Sequence, residues 1–398
     1  MSGEGDTATR AVQRARHALP LAHLAAMLFF LLLAVGHYDR GTGFTRYICF
    51  GDRFTQRQIP EIARAQPFVF RDSSGYDGQF YAQLALSPLL AEPALDTALD
   101  RPEYRARRIA LPWLAWLAGL GQPAWVLQMY ALANIAAWFA LAILLLRRIA
   151  PENATALLAW LGCLFGAGVM MSVERALTDL PSTLAIAVAI LLAERGRTLG
   201  AWTSFALAVL TRETSALAGV ALAPGAGGGR APWIRAGVLA ALSIAPFAAW
   251  AIYVHARFGG IAGVDGENFS YPFAAMVSAI GAGAPSESPK ERALFAPQLL
   301  AMLGLCVQFL SLAVSARKNW RDRWWRAGAA FALLFAVLGP AVWTDAAAAA
   351  RAVIPMTLAF NILLPRERRW SFVLCVLGNL PMLRSLPYLL APDWRGLW

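Results

Sequence analysis

The residues whose types suit chemistry gather in a few short stretches. Gly75-Tyr76-Asp77-Gly78-Gln79-Phe80-Tyr81 places one carboxylate between two glycines and beside the polar side chains of Tyr76 and Gln79. Such a carboxylate can act as a general base when a hydroxyl comes within hydrogen-bond reach. It can equally cap a short amphipathic helix lying on a membrane surface, which Phe80, Tyr81 and Leu84 predict by sharing one face. Asp39, directly after the first apolar run, is a second candidate base or a solvated charge beside Arg40. Asp52 and Asp100 read as structural carboxylates of the same polar block. Arg105, Arg107 and Arg108 form a guanidinium cluster that offers fixed, bidentate donors to a phosphate, or else pairs with loop acids or lipid headgroups.

Two further stretches stand out. Ser172-Val173-Glu174-Arg175-Ala176-Leu177-Thr178-Asp179-Leu180-Pro181 packs polar side chains into one short turn. They either line a site or cap the next helix, whose first turn tolerates Pro181. Arg212 and Glu213 lie at the centre of the apolar segment 199–223, where a charge is costly and normally faces water or a partner. Neighbours on a helix point different ways, so the two do not simply neutralise each other. A break at Thr211–Thr214 facing a cavity is expected, or else ion pairing with another helix. Asp345 and Arg351, flanking an alanine run, carry a weaker version of the same signal. No metal or other cofactor is indicated: four cysteines and four histidines show no ligand spacing, there is no Asp-x-Asp pair, and a divalent metal has no support.

The chain that must position these groups is 58% hydrophobic and 15% charged, against roughly 45–50% and about 25% in soluble proteins. This excludes a water-soluble enzyme. A formal charge of +11 without a solvated basic surface does not describe a nucleic-acid binder either. Apolar stretches at 19–36, 123–146, 154–172, 179–194, 233–254, 294–316, 327–345, 347–364 and 370–390 predict an all-α, polytopic transmembrane bundle. With 105–120 and 199–223 left ambiguous, it has about 9–11 helices. No small-residue cleavage site follows the first run, which is expected to be a retained helix.

Basic clusters at Arg10/Arg14/Arg16, Arg147/Arg148, Arg195/Arg197, Arg230/Arg235, Arg317–Arg326 and Arg366–Arg369 are expected in the cytoplasm. All can be there together only if 105–120 and 199–223 add no net crossing. If both cross, some clusters face outward. Either way the long loop 37–104, with its surface helix, is extracytoplasmic, and a second outer loop at 255–293 carries Asp265, Glu267, Glu287 and Glu291. Cytoplasmic loops are too short for a nucleotide-binding domain and contain no glycine-rich phosphate loop.

This layout, together with the pieces YDGQFY, YRARRIALP, ERALTDLP and LTRET, resembles the GT-C superfamily of integral membrane glycosyltransferases, in its bacterial multi-pass branch. The resemblance implies a polyprenyl-phosphate-linked sugar donor and an acidic residue of the first outer loop as base. That role falls to Asp77 first and Asp39 second. It implies inverting transfer to an acceptor hydroxyl at the outer face of the cytoplasmic membrane, with fixed cations stabilising the departing phosphate. Arg108, Arg175 and Arg212 suit that task, and Arg105, Glu174, Asp179, Glu213, Tyr76 and Gln79 complete the expected substrate-binding set. The alternative from another class is a secondary transporter or lipid flippase with a mid-membrane site at Arg212 and Glu213. The large polar first loop and the lack of internal repeats argue against it. A non-catalytic scaffold is a third reading.

Overall fold

The computed structural model describes residues 3–225, 230–259, 267–283, 289–366 and 369–390. Asp265, Glu287 and Arg368 lie outside the described residues. The architecture is all-α, and the one sheet among the described residues pairs Phe50–Gly51 with Val69–Phe70 in parallel. Among the described residues, five helices are long and apolar enough to cross a membrane: Pro123–Leu146, Ala154–Glu174, Arg230–Phe258, Phe295–Val314 and Arg369–Leu389. A sixth is counted if Ala346–Ala352 and Ile354–Leu363, bent by 72°, act as one span.

The expected nine uninterrupted spans are therefore not all present, and the reasons are local. Pro355 has no N–H and its ring clashes with the preceding turn, so the chain kinks at Val353. Gly339-Pro340 ends the helix Arg323–Ala336. The freed carbonyls of Ala336 and Val337 accept hydrogen bonds from Phe273 and Ser270, which ties the second loop onto the bundle. Helix Asp179–Glu194 has 16 residues and Thr198–Thr211 has 14, each short of the roughly 20 needed to span.

Both ambiguous segments fall short of a crossing. Ala110–Ala118 has nine residues, about 14 Å of helix at 1.5 Å per residue. The segment 198–222 runs out and back. Its helix starts beside the Glu194 end of the bundle and stops at Thr211, where Arg212 is extended with φ −157° and ψ 121°. A 3₁₀ helix, Glu213–Leu222, then returns the chain, and Arg323 and Arg326 donate to the carbonyls of Ala221 and Ala223. Arg148 pairs with Glu194 at 3.4 Å, Trp324 donates to Glu194, and Asn153 donates to the Arg366 carbonyl. Four of the basic clusters thus share one end of the molecule.

Close backbone approach joins the elements that carry charge. A Cβ on Gly78 would lie 2.2 Å from the Arg175 carbonyl oxygen, and one on Gly168 would lie 2.5 Å from the Ala350 backbone. Small residues at helix contacts are what packing in a lipid environment requires, since van der Waals contact does the work there. The helix Gly78–Leu86 differs from its expected place. Gly78 through Ala85 are all buried, so it is enclosed by the protein on every side and does not lie on a membrane surface. Its polar residues Gln79 and Gln83 accept from the backbone N–H groups of Gly51 and Ile59, which gives this helix a protein-facing role on both sides.

Candidate active site

A cavity of about 1170 Å³ opens among the described residues. Its charged wall is assembled from distant parts of the sequence. Asp77 stands just before the buried loop helix, and Arg105 and Arg108 follow from the short helix Pro102–Ala106 and its end. Arg212 and Glu213 come from the break in the out-and-back segment, and Arg351 from the Ala-rich helix Ala346–Ala352. The facing wall is apolar and includes Phe269, Phe295, Leu334, Leu338 and Val342.

Asp77 occupies the N-cap position but makes no side-chain cap bond. Its Oδ1 accepts from Arg105 Nη2 at 2.9 Å, and its Oδ2 lies 3.7 Å from Arg351 Nη1. Burial alone would raise its pKa. The charges of Arg105 and Arg351 outweigh that effect and hold the carboxyl at about 2, so Asp77 is ionised in the resting protein. Arg105 also forms a two-pronged pair with Asp100, at 2.8 and 2.7 Å. Arg108 is bidentate to Glu213 at 2.9 and 2.6 Å and donates to the Tyr81 hydroxyl at 2.6 Å. Burial pushes the Tyr81 phenol up, which keeps it protonated.

Arg212 does not pair with its neighbour Glu213. Its Nη1 lies 2.6 Å from Asp179 Oδ1, while Arg351 Nε lies 3.7 Å from Asp179 Oδ2. The carboxylates and guanidinium groups therefore alternate in a chain, Asp100–Arg105–Asp77–Arg351–Asp179–Arg212. Alternation is what low-dielectric surroundings demand, because a buried charge without an opposite neighbour is destabilising by several kcal/mol. Arg175 is stacked on the Tyr76 ring, its guanidinium 3.9 Å from the ring centre. The turn that presents it is pinned from behind, since Tyr130 and Asn134 donate to the carbonyls of Ala176 and Leu177.

Of the residues singled out from sequence, Tyr76, Asp77, Arg105, Arg108, Arg175, Arg212 and Glu213 line this one cavity. Four others do not. Asp39 is exposed and closes its own turn, accepting from the N–H groups of Gly41 and Thr42. Those two bonds lower its pKa. Gln79 braces the Asp77 loop, accepting from Gly51 and donating to the Ser74 carbonyl. Glu174 is buried beside a small adjoining pocket with Cys49 and Tyr388, on the far side of Tyr76. Asp179 is 1% exposed and stands behind the wall as the anchor of Arg212 and Arg351. Arg107 is not among the cavity residues, and Arg105 takes the loop-acid option.

Sequence reasoning passed over Arg384, which lines the cavity and pairs with Asp345 at 2.9 Å. It gave little weight to Arg351 and Asp100. Arg384 lies within an apolar run, the same signal that exposed Arg212. Among the described residues, no group of three or more His, Cys, Asp or Glu side chains is placed to hold a metal ion. The cavity carboxylates are instead committed to guanidinium groups. Chemically the arrangement offers one ionised carboxylate, a bank of fixed cations and an apolar wall opposite.

No family model, curated protein or solved structure matches this chain.

Proposed function

We propose that the protein is a membrane glycosyltransferase of GT-C type. It moves a sugar from a polyprenyl-phosphate-linked donor to an acceptor hydroxyl at the extracytoplasmic face. The observation that carries this reading is the convergence of Asp77 with Arg105, Arg108, Arg175, Arg212 and Arg351 on one cavity whose other wall is apolar. A lipid phosphate has that dual character: a tail for the apolar wall and an anion for the guanidinium groups. Asp77 takes the acceptor proton as general base, and the arginines oppose the negative charge that develops on the leaving phosphate.

Orientation follows from the basic clusters gathered at one end of the molecule, which belong in the cytoplasm. Helix Asp179–Glu194 has the cavity's Asp179 at one end and the basic face's Glu194 at the other, so the cavity opens on the opposite side. The transporter reading depended on Arg212 and Glu213 as a site of their own. Each is held by a carboxylate or guanidinium of another element, so they belong to the shared network.

The test is donor class. Purified protein in liposomes is offered radiolabelled sugar on a polyprenyl phosphate, or the same sugar as a nucleoside diphosphate ester, with a cell-envelope acceptor extract. Transfer from the lipid-linked donor alone is expected. Transfer from the nucleotide sugar alone would overturn the reading.

A further inference from the structure

We infer that Asp100 is a positioning residue for Asp77. From the rim of the cavity it holds one edge of the Arg105 guanidinium, so that Arg105 gives Asp77 a single hydrogen bond and does not close on it with two. This deepens the glycosyltransferase reading and rests on it for the part of Asp77 as base; the hold of Asp100 on Arg105 stands on geometry.

A guanidinium presents its N–H groups in a fixed planar array, and each edge of it can grip one carboxylate. Asp100 takes the edge of Arg105 formed by Nε and Nη2, at 2.8 and 2.7 Å. At the end formed by Nη1 and Nη2, Nη2 reaches Asp77 at 2.9 Å, while Nη1 lies 3.4 Å from the Tyr81 hydroxyl. Nη2 is thus shared by the two carboxylates. The Phe80 ring, one turn beyond Asp77, lies 5.1 Å from the guanidinium and sets its plane. Asp100 itself stands at the rim, its side chain 33% exposed where that of Arg105 is 9% exposed. It is tied to the element that carries Asp77, because Gln83 of the buried loop helix donates to the Ala98 carbonyl. The Arg105 N–H, in turn, donates to the Arg101 carbonyl at 2.9 Å, and this turn of chain brings Asp100 back onto the Arg105 side chain.

Two consequences follow for Asp77. With Asp100 in place the edge of Arg105 is occupied; without it, that edge is free to turn inward and form the two-pronged pair that guanidinium and carboxylate prefer. Asp100 also supplies a negative charge that offsets part of the Arg105 charge, which would otherwise act wholly on Asp77. Either change makes Asp77 a poorer acceptor of a proton, since a carboxylate gripped by two N–H groups has less of its oxygen left for a hydroxyl. Among the described residues Arg105 is the guanidinium hydrogen-bonded to Asp77: Arg351 stands 3.7 Å away, and Arg108 is bidentate to Glu213. Arg105 is therefore the cation whose placement matters most to the carboxylate, and Asp100 is what places it.

The experiment has two arms. Infrared spectra of the full chain in detergent at neutral pH isolate the Asp77 carboxylate band as the difference from Asp77→Asn. That band is expected to shift in Asp100→Asn and to return toward its wild-type position in Asp100→Glu, which keeps the charge. In proteoliposomes given a polyprenyl-phosphate-linked sugar and the acceptor extract, Asp100→Asn is expected to lower kcat by about tenfold, a part of the roughly 10²–10⁴ that a general base supplies. The donor KM is expected to stay within about twofold, and Asp100→Glu to recover most of kcat. On an Arg105→Gln background, adding Asp100→Asn should change kcat by no more than about twofold, because the two substitutions act through one contact. An unmoved band in Asp100→Asn overturns the positioning role. So does an equal fall in kcat with and without Arg105, which would make Asp100 a cap for the Arg101 N–H, the other group its Oδ1 accepts from. The infrared arm needs only the Asp77 and Asp100 variants, so it decides the matter should the buried Arg105→Gln fail to fold. A shifted band together with no transfer by the wild-type protein would leave the hold on Arg105 standing and count against the glycosyltransferase reading instead.

Discussion

Asp77 lies between two guanidinium groups that make it a weak base in the resting state, its carboxyl held at about 2 from an ordinary 3.8. Efficient proton abstraction calls for a pKa nearer the working pH, so the cations must be drawn away as substrate binds. In the proposed reaction the donor's phosphate would do this by drawing the Arg351 guanidinium, now 3.7 Å from Asp77, onto itself. The sign of the pH effect follows from the depressed pKa. Asp77's contribution to stability is present above its unfolded pKa and is lost as pH falls through about 2. The kcat/KM profile, which reports the free protein, is expected to show no acid limb from Asp77 until close to pH 2. Arg105→Gln removes the nearest cation and should move that limb upward by one unit or more, since an adjacent cation shifts a carboxylate by about 1–3 units. An unmoved limb would show that Asp77 is not the titrating group. At this scale sequence was informative where charge met an apolar run, as at Arg212. It could not separate a ligand contact from a loop brace at Gln79, because both require the same buried amide.

Short elements, rather than long spans, hold the site. The buried loop helix, the 211–213 break, the turn after Glu174 and the Ala-rich helix each contribute one or two side chains, and their relative positions depend on backbone contacts that admit no Cβ. Gly78→Ala would drive a methyl group to 2.2 Å from the Arg175 carbonyl oxygen and 2.8 Å from that of Ile48. Backbone must shift, a change that costs about 1–3 kcal/mol in packed interiors. The same substitution at Gly237, which meets nothing within 4 Å inside helix Arg230–Phe258, should instead stabilise by roughly 0.5–1 kcal/mol. Thermal unfolding in detergent checks both, and equal midpoints for the two variants would contradict this account of the packing. The break at Arg212 was legible because a charged pair cannot sit inside an uninterrupted apolar helix. The burial of Gly78–Leu86 was not, since an amphipathic pattern does not say whether lipid or protein covers the apolar face. The bend at Val353 was missed, since 347–364 was expected to be one span; Pro355 is compatible with such a break, but the 72° angle depends on packing from elsewhere in the chain.

For the whole molecule, two ends of opposite character decide function. Four of the six basic clusters share one end, and the cavity lies toward the other end of helix Asp179–Glu194. Ser74 lines the cavity and is exposed, whereas Lys318 belongs to the basic end. In intact cells a membrane-impermeant maleimide is expected to label Ser74→Cys and not Lys318→Cys, read in a Cys306→Ser background because Cys306 is half-buried whereas Cys49, Cys163 and Cys375 are buried. The opposite pattern would turn the cavity toward the cytoplasm. Overall class was legible from composition. The number of full spans was not, because hydropathy cannot distinguish a crossing from a chain that enters and returns. The central claim is that one carboxylate in this cavity removes the acceptor's proton. It is tested most directly by the initial rate of sugar transfer in proteoliposomes holding equal amounts of wild-type, Asp77→Asn and Asp39→Asn protein. A fall of about 10²–10⁴ in Asp77→Asn, with an unchanged unfolding midpoint and a normal rate in Asp39→Asn, is the predicted result. Wild-type transfer by Asp77→Asn would contradict it.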